Sequence, residues 1–82
     1  MKTYLTYSET KNLTFEEINL LPHELDLPFV PEKNSILQLS ETHPDTFGTY
    51  DTFKSFKVTK IIYDYNITTH EAFAALTLKF IS

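Results

Sequence analysis

Two β-rich runs stand in succession in the C-terminal part of the chain, FKSFKVTKIIYDYNI from Phe53 to Ile67 and AFAALTLKFI from Ala72 to Ile81. They are joined by the polar tetrad Thr68-Thr69-His70-Glu71. β-Branched and aromatic residues in two such runs, with a short polar link, predict an antiparallel strand pair. The second run is regular: Ala74, Leu76, Leu78 and Phe80 share one face, Ala75, Thr77 and Lys79 the other. The first run changes parity partway. Phe56 and Val58 share one face, whereas Ile61, Tyr63, Tyr65 and Ile67 share the opposite one. A strand alternates with period two, so a β-bulge near Thr59–Lys60 is the expected cause.

The rest of the chain supplies weaker elements. Lys2 to Ser8 reads as a short strand with Leu5 and Tyr7 on one face. Thr14 with Glu17 three residues on forms a capping box, and Leu13 with Ile18 a hydrophobic staple. They predict a short helix over Phe15–Leu21 that stops at Pro22 and buries Phe15, Ile18 and Leu21. Three prolines in Pro22–Pro31 predict an irregular segment whose Leu25, Leu27, Phe29 and Val30 cover an apolar surface. Ser35–Ser40 reads as a compact strand. Glu41–Thr52 carries the only glycine, Gly48, and the Pro44-Asp45 turn signal, and reads as a long surface loop. Loops of that length are often functional.

The fold class that follows is α+β and β-rich: one short helix near residues 15–21 on a small antiparallel sheet or SH3-like barrel of about four strands. Eighty-two residues imply a single domain spanning residues 1–82. A core of this size supplies only about 3–5 kcal/mol. With no cysteine, stability must come from packing the twelve aromatic residues, or from burying a face against a partner. The start of the chain lacks the apolar run of a signal peptide, and no stretch approaches the length of a membrane span. A cytoplasmic protein with no membrane partner is the expectation, under which the sequons at Asn12 and Asn66 are chance matches.

Charge separates the functional classes further. Asn12–Asp51 holds eight acids (Glu16, Glu17, Glu24, Asp26, Glu32, Glu41, Asp45, Asp51) against the single base Lys33, and the whole chain carries −4. Phosphate binding needs the opposite balance, and arginine, the commonest reader of guanine, is absent. Direct nucleic-acid binding is therefore not expected. Lys54, Lys57 and Lys60 fall on alternating sides of a strand, and Phe53, Phe56, Lys57, Tyr63 and Tyr65, which would suit a stacking platform, read as core.

Chemistry has little footing. His23-Glu24 and His70-Glu71 lack the second histidine of a zincin helix, and His43 beside Asp45 lacks converging ligands, so no metal or cofactor is expected. Any Ser35 or Ser40, His43 and Asp45 set is a generic coincidence. One glycine leaves little backbone for an oxyanion nest. No catalytic residues are assigned.

The acidic segment remains. As a solvated face it would only aid solubility. As a binding surface, Glu41, Asp45, Phe47, Tyr50 and Asp51, supported by Glu24 and Asp26, would meet a protein partner with a basic surface. Charge would set association rate and register there, and the aromatics the affinity. Lack of Arg and Trp beside abundant Lys, Asn, Ile, Tyr and Phe matches low-GC coding bias, which points to a phage or mobile-element accessory protein. The resulting expectation is a non-enzymatic inhibitor of a host nucleic-acid enzyme or defence complex. Its alternatives are a structural module forming a homodimer or larger homo-oligomer, and a small metal-binding protein or enzyme.

Overall fold

The computed structural model describes every residue from Met1 to Ser82. In chain order it contains β1 (Lys2–Ser8), α1 (Phe15–Leu20), β2 (Glu24–Asp26), β3 (Ile36–Asp45), β4 (Gly48–Asn66) and β5 (Glu71–Phe80). The five strands form one sheet in the order β2-β1-β5-β4-β3. The β-rich, one-helix architecture agrees with the sequence. The strand count and the purely antiparallel meander do not: there are five strands, and β1 runs parallel to β5, with Leu5 opposite Leu76 and Tyr7 opposite Leu78. The sheet is mixed and open, not a closed barrel.

Its centre is β4 against β5. Val58 lies opposite Leu78 and Lys60 opposite Thr77, so Thr59 is the extra residue of a bulge. The Thr59 hydroxyl donates to the Thr77 carbonyl at 3.1 Å. The bulge moves Ile61 to the inner face, opposite Leu76, as the parity change required. Phe56, Val58, Leu76 and Leu78 are fully buried, and Leu5 and Leu21 complete the core. The inner residues of β1 and β5 are those expected from alternation.

The covering layer is thin. Thr14 caps α1, its hydroxyl accepting from the Glu17 amide at 3.1 Å, and Leu21 at the C-cap is buried. Phe15, expected inward, is exposed instead, and Ile18 is only half-buried, because six residues make under two turns and only the C-cap Leu21 enters the core. In the proline-rich segment Leu25, Leu27 and Val30 pack on the core as expected, whereas Phe29 is exposed. This segment also holds β2, which pairs with β1 through Thr3 and Leu25. Three residues between Pro22 and Pro28 suffice for an edge strand, where a missing amide does no harm. Leu25 of β2 and Leu39 of β3 line the same groove, so the two edges curl toward each other. No helix is long and apolar enough to cross a membrane.

Candidate functional site: the arm of strands 3 and 4

The largest departure from expectation is at Glu41–Thr52. It is no loop. β3 and β4 pair without interruption from Ile36 opposite Lys57 to Asp45 opposite Gly48, leaving only Thr46 and Phe47 as the turn. Pro44 and Gly48 misled because both normally punctuate strands. Pro44 sits in an edge strand, where it is tolerated, and Gly48 (φ +138°) begins β4 directly after the turn in backbone that L-residues rarely adopt. The Thr, Tyr and Asp content between them is held by cross-strand bonds. The Thr42 hydroxyl donates to Asp51 at 2.7 Å, and His43 Nε2 lies 3.0 Å from Thr52 Oγ1. His43 also stacks on Tyr50 with ring centroids 5.1 Å apart. At the apex the Thr46 amide donates to Asp45 at 2.7 Å.

The result is a two-stranded arm extending from the sheet. Beyond its root every residue is exposed except half-buried His43. Alternation sorts its groups onto two faces. Glu41, His43, Asp45, Tyr50 and Thr52 continue the inner face of the sheet; Thr42, Pro44 and Asp51 lie on the outer. Glu41 approaches His43 at 3.5 Å. Phe47 projects from the apex, 97% exposed. No lysine lies between Lys33 and Lys54, so the arm has no cationic side chain to offset Glu41, Asp45 and Asp51.

Of the residues expected to bind a partner, Glu41, Asp45, Phe47, Tyr50 and Asp51 therefore stand together on one arm. Glu24 and Asp26 do not join them. They lie on β2, across the groove, and are engaged locally: Glu24 with Lys2 at 3.1 Å, and Asp26 with the Met1 ammonium at 3.0 Å. Hydrogen bonding to Tyr4 and then to Glu24 raises the Lys2 pKa above the usual lysine range.

The aromatic residues correct the reading of them as core. Only Phe56 is fully buried, and eight of the twelve, including Phe53, Tyr63 and Tyr65, are exposed. Nor do they form one platform: Phe53 and Lys57 lie on the outer face, Tyr63 and Tyr65 on the inner. The lysines also differ from expectation. Lys54 faces inward beside Leu39, but the bulge brings Lys57 and Lys60 to the same outer face, opposite Lys79 and Thr77. The periodicity of the sequence contained this result, since the bulge that shifts Ile61 shifts Lys60 as well.

The histidines are dispersed. His23 contacts the Tyr7 ring, His43 is on the arm, and His70 meets the Tyr65 hydroxyl at 3.1 Å in the turn before β5. An open groove of about 350 Å3 runs between the β3 edge and the α1–β2 segment, lined by Leu20, Leu21, Leu25 and Leu39 with Glu41 and Lys54 at its rim. Sequence reasoning missed this groove, since it arises from the curl of the whole sheet.

Comparison with protein families, with characterised proteins and with solved structures returns no match to this chain.

Proposed function

We propose that the chain is a non-enzymatic protein-binding module that presents the β3–β4 arm to a partner with a basic surface. The observation that carries this reading is the clustering of Glu41, Asp45, Asp51 and Tyr50 on one projecting hairpin whose apex residue, Phe47, has no packing of its own. An exposed phenylalanine at the tip of an arm that carries three carboxylates and no lysine suits a cationic cleft with an apolar floor: charge guides the encounter, and desolvation of the ring supplies affinity. A nucleic-acid-binding channel has this character. The biological role that fits is inhibition of a host nucleic-acid enzyme or defence complex, as an accessory protein of a phage or mobile element would perform it.

The test is capture from native host lysate with the wild-type chain and with a D45K/D51K/F47A variant, after circular dichroism shows that both are folded. The expected result is a protein retained by the wild type, released by salt and lost with the variant. For that protein, D45K/D51K alone should slow association at low ionic strength by about tenfold or more, as removal of electrostatic steering does. Identical retention by both chains would refute the role of the arm.

A further inference from the structure

The two edges of the sheet are protected unequally, and the open one is self-complementary. β2 is guarded: three residues long, bounded by Pro22 and Pro28, and charged at Glu24 and Asp26. β3 is ten residues long and pairs with β4 alone. The orientation of its backbone follows from Pro44. Lacking an amide hydrogen, Pro44 belongs to a pair that exchanges no hydrogen bonds with β4. Because such pairs alternate along an antiparallel ladder, Ile36, Gln38, Ser40 and Thr42 also turn their N–H and C=O groups outward. Ser35, of the opposite parity, accepts from the Val58 amide at 2.9 Å, as this assignment requires. The groove beside Leu39 keeps α1 and β2 from covering that edge.

We propose that two copies of this chain pair antiparallel along β3, on a two-fold axis through Leu39, to form one continuous sheet. The register is specified by the sequence. With Leu39 opposite the second copy's Leu39, Ile36 pairs with Thr42 and Gln38 with Ser40, all four having outward backbone groups. Pro44 then falls just beyond the last bonded pair and ends the ladder. Moving the register by two residues toward the apex loses the Leu39 contact and brings Pro44 opposite Ile36. The contact is isologous, so it closes as a dimer and does not propagate. It occupies the strand edge and leaves both faces of each arm free, so it is independent of the partner proposed above.

The absence of cysteine makes the test direct. Residues on a two-fold axis in a pair without hydrogen bonds have Cα atoms about 4.5 Å apart, within disulfide reach. L39C should therefore cross-link rapidly under copper–phenanthroline, while S40C, whose counterpart is offset by two residues, should not. Sedimentation of the wild type should show a dimer. S40P, which removes an outward N–H that β4 does not use, should give a folded monomer by circular dichroism. The proposal is overturned by a wild type that stays monomeric to about 1 mM, by S40C cross-linking as fast as L39C, or by S40P dimerising as tightly as the wild type.

Discussion

The β3–β4 hairpin contains both the most protected and the most exposed aromatic environment in the protein. Phe56, midway along β4, has no solvent-accessible surface, whereas Phe53, one residue past a full alternation, is 57% exposed and Phe47, in the turn just before the strand, is 97% exposed. Residue type does not distinguish them. Phe56 has β5 and β3 on either side and Tyr7 and Phe80 against its ring, at 5.2 and 5.6 Å between centroids. Phe53 lies on the outer face, and the arm beyond it has neither a covering layer nor a third strand. The stability of the fold therefore resides in the middle of the sheet, and the aromatic residues of the arm are held ready for another surface.

Substitution should separate the two regions sharply. F56A should cost about 3–5 kcal/mol, comparable to the roughly 3–5 kcal/mol that a core of this size supplies. Urea denaturation should find the variant largely unfolded, and a loss below about 1 kcal/mol would abolish the distinction drawn here. An intermediate effect is expected at Tyr7, at the rim of the same core. Its hydroxyl donates to the Pro22 carbonyl, and burial pushes its pKa up to about 12. Y7F should cost about 1 kcal/mol by leaving that carbonyl unpaired.

The pH dependence of Tyr7 has a definite sign. Its folded pKa lies above the ordinary value of 10.0, so the protonated phenol is favoured by folding. That contribution is fully present below about pH 10 and is lost as pH rises toward about 12. Melting curves recorded across this interval should fall more steeply for the wild type than for Y7F, and parallel curves would contradict the assignment. The smallest effect belongs to the arm: F47A should change stability by no more than about 0.5 kcal/mol, read in the same urea titration. A larger loss would mean that Phe47 is packed.

Much of the local structure is legible in the sequence. The parity change from Val58 to Ile61 located the bulge at Thr59, the Thr14–Glu17 spacing located the helix start, and the alternation in β5 identified its buried face. The acidic and aromatic residues of the candidate site were also visible, but as a loop. Glycine and proline at Pro44 and Gly48 are ambiguous signals at a strand edge, where a missing amide or a positive φ is tolerated. Glu24 and Asp26 shared the charge of the arm yet lie on the other edge, since charge along a chain says nothing about which edge a segment joins.

What the sequence determined alone is whatever depends on neighbours two to four residues apart: helix cap, strand alternation, bulge and charge segregation. The tertiary structure decided the parallel pairing of β1 with β5, the fifth strand between two prolines, and which rings are buried. These depend on contacts between residues distant in the chain, such as Leu5 with Leu76, where hydrophobic burial is shared among elements whose proximity no local pattern records.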